Sequence, residues 1–136
     1  MMDWNECKIN NWVKEVKAGQ ELIDSLKIQS NKKFQTAERI ITDDISASTK
    51  FCDYYDSLRI ILEAIALKKG FKIYNHDCLG GFLKEILKLE KEAEEFDKFR
   101  IIRNGINYYG QDLSPENANM LIQNLIQLKK EVEEFL

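Results

Sequence analysis

The fold is decided by LRIILEAIAL, residues 58–67, in which every residue except Arg59 and Glu63 is apolar. Leu, Ala, Ile and Glu tolerate or favour helix, and the run is far shorter than the ~20 residues that cross a bilayer. It therefore predicts the centre of a buried helix. We expect this helix to begin with a Thr42 cap and an acidic first turn, and to end at Lys69, because a glycine follows.

The rest of the chain continues the helical pattern. The sequence has 136 residues, 44% of them apolar and 32% charged, with a single proline. This composition predicts one all-α domain over residues 1–136, an up-and-down bundle of five or six helices. The predicted helices cover about residues 3–16, 20–41, 42–69, 78–87, 92–109 and 114–135, with a short connection at 71–76.

Charge and cysteine content exclude several classes of protein. A net charge of −3 is incompatible with a broad basic surface for duplex nucleic acid, although a local basic patch fits. Cys7, Cys52 and Cys78 show no metal-binding spacing, so we expect ordinary thiols in a reducing compartment. No export signal or membrane-spanning run is recognisable. We expect a cytoplasmic protein with no metal, no cofactor and no membrane partner.

Candidate functional residues concentrate in FDKFRIIRNGINYYG, residues 96–110. At about 100° per residue, one arc of this helix is polar. That polar arc holds Asp97, Arg100, Arg103, Asn104, Asn107 and Tyr108. The opposite arc is apolar and is expected to be buried. It holds Phe99, Ile101, Ile102, Gly105, Ile106 and Tyr109.

The polar arc fits an anion-binding site. The planar guanidinium of arginine binds phosphate or carboxylate through two hydrogen bonds and stays charged at every relevant pH. Arg100 and Arg103 would hold a phosphate, and Asn104 and Asn107 would orient it. The alternative is structural: Arg100 pairs with Asp97 or Glu94, and Arg103 and the asparagines satisfy backbone carbonyls or a subunit partner.

Two segments together resemble a known family. Residues 51–87, which contain DYYDSLR and an aromatic-to-His connection, and RNGINYYG at 103–110 are similar to the HEPN domain of small prokaryotic proteins. The resemblance runs from about Ile45 to Leu136. It implies a helical bundle that pairs about a two-fold axis. Many members are metal-independent ribonucleases, often toxins whose antitoxin is a minimal nucleotidyltransferase.

The resemblance assigns roles to the motif residues but leaves a gap. Arg103 matches the motif arginine and Asn104 the polar residue after it, whereas the motif histidine falls on Tyr108, Tyr109 or Gly110. Imidazole exchanges a proton near neutral pH, while a tyrosine with a pKa of ~10 is a poor base there. Tyr108 is the best candidate for any residual proton transfer. Whether the chain cleaves RNA or only binds it stays open at this point.

Acidic residues on the third helix offer a supporting role. Asp53, Asp56 and Glu63 share one face, a spacing that could bind a cation but more simply predicts ion pairs. The candidate partners are Arg59, Arg100 and Arg103. If Asp56 pairs with the motif arginine, it would orient that guanidinium without touching substrate.

His76 is the one histidine, and its position before the fourth helix predicts a cap or packing beneath Tyr74. It would act on RNA only if folding or dimerisation brings it to Arg103.

The sequence thus leads to two hypotheses about function. The first is a HEPN-like homodimer that binds RNA or nucleotide phosphate, with a degenerate ribonuclease motif. The second is a non-catalytic helical module that binds a nucleotidyltransferase-type or other protein partner.

Overall fold

A computed structural model describes all 136 residues, and most of them are helical. The chain forms six α-helices and one two-stranded antiparallel sheet. The elements are α1 (Trp4–Ile9), β1 (Val13–Glu15), α2 (Gln20–Glu38), α3 (Ala47–Lys68), β2 (Phe71–Ile73), a 3-10 turn (His76–Cys78), α4 (Leu79–Glu85), α5 (Glu90–Tyr109) and α6 (Pro115–Glu133). The predicted helical fold is confirmed at this level.

The core is centred on α3, which packs against α2, α4, α5, α6 and β2. Leu58, Leu62 and Ile65 have no exposed surface, and neither do Tyr55 and Phe51, one and two turns before Leu58. The prediction that residues 58–67 form the centre of the core is therefore confirmed. Full burial of such side chains stabilises the fold by roughly 1.5–3 kcal/mol each.

The start of α3 differs from the prediction. The helix begins at Ala47 rather than at Thr42. The carboxylate of Asp43 accepts hydrogen bonds from the backbone N–H groups of Ile45 and Ser46, both at 2.9 Å. These bonds close a turn around the acidic residue, which competes with helix formation. Asp43 thus precedes the helix by several residues.

The first helix is also shorter than expected. It ends at Ile9, and Asn11 adopts a φ of 59°, a left-handed conformation that does not continue a helix. The chain then forms β1, which pairs with β2 through Val13↔Ile73 and Lys14↔Lys72. The structure therefore corrects the predicted helix over residues 3–16.

Glycines of α4 let the N-terminal segment pack closely. A Cβ atom on Gly81 would lie 2.9 Å from the backbone oxygen of Met2, and one on Gly80 would lie 2.9 Å from the sulfur of Met1. The backbone N–H of Met2 also donates to the oxygen of Asp77 at 3.2 Å. The first residues are therefore held against α4 and the 3-10 turn.

Two of the three cysteines contradict the prediction of ordinary thiols. Cys7 of α1 and Cys78 of the 3-10 turn form a disulfide, and neither has exposed surface. Only Cys52 is free. Burial and the nearby Asp56 raise its pKa to about 11, which makes this thiol unreactive near neutral pH. The absence of disulfides was one argument for the expected cytoplasmic location, and this disulfide removes that argument.

None of the helices has the length and apolar character needed to cross a membrane.

Candidate functional site

An open cleft lies between α5 and the connection that follows β2. Its volume is about 410 Å³. From α5, the cleft is lined by Arg100, Arg103, Asn104 and Tyr108, four of the residues singled out from the sequence. The structure therefore brings most of the predicted polar arc to a single concave surface.

Arg100 is fixed by carboxylates of its own chain. Its Nε donates to Asp97 and its Nη1 to Asp77, both at 2.9 Å, and only 13% of its side chain is exposed. This geometry matches the structural alternative, in which Arg100 pairs with Asp97. Its charge is compensated, so Arg100 joins α5 to the 3-10 turn and is a poor candidate for holding phosphate.

Arg103 is in the opposite situation, since no carboxylate lies within ion-pair distance of its guanidinium. Its Nη1 donates weakly to the hydroxyl of Tyr108 at 3.3 Å and to the side-chain oxygen of Asn104 at 3.4 Å. The guanidinium carbon lies 5.7 Å from the ring centre of Tyr108 and 5.9 Å from that of Tyr55. These rings position the cation without neutralising it.

Asp56 does not orient the motif arginine. Its carboxylate lies 3.6 Å from Lys33 and 3.6 Å from Arg59, and it makes no ion pair with Arg103. Glu63 accepts a hydrogen bond from Arg59 at 3.0 Å. The prediction of ion pairing is thus confirmed for Asp56 and Glu63. The supporting role toward Arg103 is not seen.

His76 enters the cleft beside Arg103, Asn104 and Tyr108. It does not cap the 3-10 turn, because the side chain of Asn75 does so by accepting from the N–H of Asp77 at 3.0 Å. Burial, together with the positive charges of Arg59 and Arg103, lowers the pKa of His76 to about 4. Its imidazole is therefore neutral near pH 7. Its Nε2 lies 3.7 Å from Oε1 of Glu63, and a ring proton on Nε2 facing that carboxylate leaves Nδ1 as the nitrogen that can accept a proton.

Asn107 lies outside the cleft. Its side chain is exposed, and its oxygen lies 4.0 Å from the sulfur of Cys52 on α3. Asn107 therefore does not share the cleft with Arg103 in the single chain, and its predicted role in orienting a phosphate stays a prediction. Asn104 remains the asparagine that lines the cleft.

The opposite arc of α5 is only partly buried. Phe99 and Gly105 are buried as predicted, but 56% of Ile101 and 79% of Tyr109 are exposed. Spaced four residues apart, Ile101, Gly105 and Tyr109 form one stripe along the helix, which we call the α5 stripe. A shallow groove of about 340 Å³ follows this stripe, and Asn104 borders both the groove and the cleft.

The other walls of the cleft come from residues outside α5. They are formed by Trp12, Tyr74, Asn75, His76 and Asp77. Trp12 immediately precedes β1, and the other four residues follow β2. Buried Val13 lies between Trp12 and Lys14, and buried Ile73 lies between Lys72 and Tyr74. This alternation is typical of a strand, and it is present in the sequence.

No family model, no curated protein and no solved structure matches this chain. The resemblance to HEPN domains therefore remains a prediction that rests on the residues quoted above.

Proposed function

We propose that this chain is a HEPN-like homodimer that binds RNA, or a nucleotide, through phosphate in the cleft, and cleaves RNA without a metal. The observation that carries the proposal is Arg103: a guanidinium without a carboxylate partner, beside His76, Asn104 and Tyr108 in one cleft. An uncompensated arginine with free donors attracts phosphate and stabilises the charge that develops on its oxygens.

The cleft also holds groups for proton transfer. In cleavage without a metal, the 2′-hydroxyl of RNA attacks the adjacent phosphorus and the 5′-oxygen leaves. Neutral His76 accepts the hydroxyl proton, while Tyr108, already bonded to Arg103, donates a proton to the leaving oxygen. His76 thus takes the role that the resemblance assigned to a histidine on α5, which this sequence lacks.

The α5 stripe supports the proposed dimer. Ile101 and Tyr109 present exposed apolar surface, and such surface is commonly covered by a partner. Because Asn104 borders both groove and cleft, a second copy seated on the stripe would bring two clefts close together. The same stripe is the observation that favours the second candidate, a module that binds a nucleotidyltransferase-type protein.

We expect Tyr109→Glu to weaken the dimer roughly 30-fold, equivalent to about 2 kcal/mol, because it places a charge in an apolar contact. Sedimentation velocity over a range of concentrations measures this change. Ile45→Glu is the matched control, since Ile45 is 93% exposed and lies outside the stripe. A wild-type chain that stays monomeric at high concentration would contradict the dimer and favour the protein-partner alternative.

We expect Arg103→Gln to weaken binding of single-stranded RNA by about 10- to 100-fold, since it removes the charge-assisted hydrogen bonds to phosphate. Fluorescence anisotropy of a labelled oligoribonucleotide in EDTA at low salt measures the affinity. Arg39→Gln removes the same charge from an exposed position on another surface and should leave the affinity unchanged. Equal affinities of the Arg103 variant and wild type would refute the proposed site.

A further inference from the structure

The outer face of the small sheet carries four side chains in two cross-strand pairs. Lys14 and Lys72 are direct partners in the ladder. The N–H of Tyr74 donates to the oxygen of Trp12 at 2.7 Å, which extends the pairing by one step. The intervening residue of each strand is buried, so these four side chains lie on the opposite face. We call this face the β platform.

The lysine pair has no partner of opposite charge. Like charges directly opposite each other destabilise a sheet, and neither Lys14 nor Lys72 makes an ion pair. Glu63, the acid whose field reaches Lys72, is already paired with Arg59 at 3.0 Å. An anion bound between the two ammonium groups would remove this repulsion.

The aromatic pair connects the lysines to the cleft. The Nζ atoms of Lys14 and Lys72 lie 5.6 and 5.3 Å from the ring centre of Tyr74, and this ring is half-exposed. Trp12 and Tyr74 also line the cleft that contains Arg103. One continuous surface therefore runs from a guanidinium, across two aromatic rings, to two ammonium groups.

We infer that the β platform binds single-stranded nucleic acid that extends out of the cleft, with a base stacked on Tyr74 or Trp12 and a phosphate between Lys14 and Lys72. Cations beside the exposed ring of Tyr74 and the partly buried ring of Trp12 suit a single strand, whose bases are free to stack, whereas a duplex keeps its bases paired. The inference rests on the proposed function, because the strand is anchored at Arg103.

The test compares two lengths of one strand. Fluorescein-labelled 2′-O-methyl oligouridines of two and eight nucleotides resist cleavage, and anisotropy measures their binding in EDTA. We expect the octamer to bind more tightly than the dinucleotide. The Lys14→Gln/Lys72→Gln variant should lose about tenfold in octamer affinity, and its log–log salt dependence should fall by ~0.7, the value for one phosphate contact. Its dinucleotide affinity should not change.

The aromatic contribution has its own pair of variants. Tyr74→Leu should weaken octamer binding about tenfold, while Tyr74→Phe, which keeps the ring, should bind like wild type. Lys27→Gln/Lys32→Gln changes the net charge equally at exposed positions of α2 and serves as the control for the lysine variant.

The outcomes separate this inference from the proposed function. If Arg103→Gln loses both oligonucleotides while the Lys14/Lys72 variant binds the octamer like wild type, the β platform is refuted and the cleft stands. If wild type binds neither, both fail. Equal binding of an eight-base-pair duplex, or displacement of the octamer by an equal concentration of a polyglutamate peptide, would also overturn a platform for single strands.

Discussion

Removal of the Cys7–Cys78 disulfide by Cys7→Ala/Cys78→Ala should lower the free energy of unfolding by roughly 4 kcal/mol. The bonded cysteines are 71 positions apart, and a cross-link over such a loop removes much of the freedom of the unfolded chain. Because native stabilities are commonly 5–15 kcal/mol, a loss of this size is a large share of the total. Urea unfolding followed by circular dichroism measures the change.

Cys52→Ala is the matched control for this prediction. Cys52 is only partly buried and free, so its replacement should cost well under the roughly 4 kcal/mol expected for the linked pair. Titration of thiols in denatured, unreduced protein gives an independent measurement, with one thiol expected per chain. Three thiols per chain would show that the bond does not form, and equal stability of oxidised and reduced protein would show that it does not stabilise the fold.

The disulfide also shows where reasoning from the sequence ended. The central helix was predicted correctly because the apolar composition of residues 58–67 itself indicates burial. The pairing of Cys7 with Cys78 depends on where α1 and the 3-10 turn meet in space, and no local pattern encodes that contact. The strand Val13–Glu15 was missed for a related reason, since three residues are too few for alternation to compete with a helical pattern.

The candidate site was predicted in the same partial way. Helical spacing placed Arg103, Asn104 and Tyr108 on one arc, and they share the cleft. Spacing could not show that Asp77, 23 positions before Arg100, would compensate its charge. His76 reaches the cleft only because β2 and the 3-10 turn lie across from α5. These contacts depend on long-range packing, which cannot be inferred from the spacing of residues within one helix.

The second large effect concerns His76 itself. We expect His76→Gln to reduce the rate of RNA cleavage in EDTA by about 10²- to 10⁴-fold, the usual contribution of a positioned general base. RNA binding should change little, because the neutral imidazole contributes no charge to phosphate recognition. Gel-resolved cleavage of a labelled RNA measures the rate, and anisotropy with the 2′-O-methyl octamer measures binding. Arg39→Gln again provides the control for nonspecific effects.

The pH profile of cleavage tests whether His76 is the proton acceptor. Since burial lowers its pKa to about 4, kcat/KM should rise as pH increases through about 4 and stay flat across neutrality. A histidine with an ordinary pKa of ~6.5 would place that rise about 2.5 pH units higher. Bound phosphate favours the imidazolium and so raises the pKa in the complex, which places the inflection in kcat above that in kcat/KM.

The same lowered pKa predicts how stability depends on pH. The folded state disfavours the His76 proton relative to the unfolded chain, in which the pKa is ~6.5. The stability linked to neutral His76 is therefore fully present above that value and is lost as pH falls toward about 4. In His76→Gln, the loss of stability between pH 7.5 and 5 should be smaller than in wild type.

Unchanged cleavage by His76→Gln, or failure of added imidazole to restore any activity to inactive His76→Ala, would contradict His76 as the base and return the proton-transfer role to Tyr108.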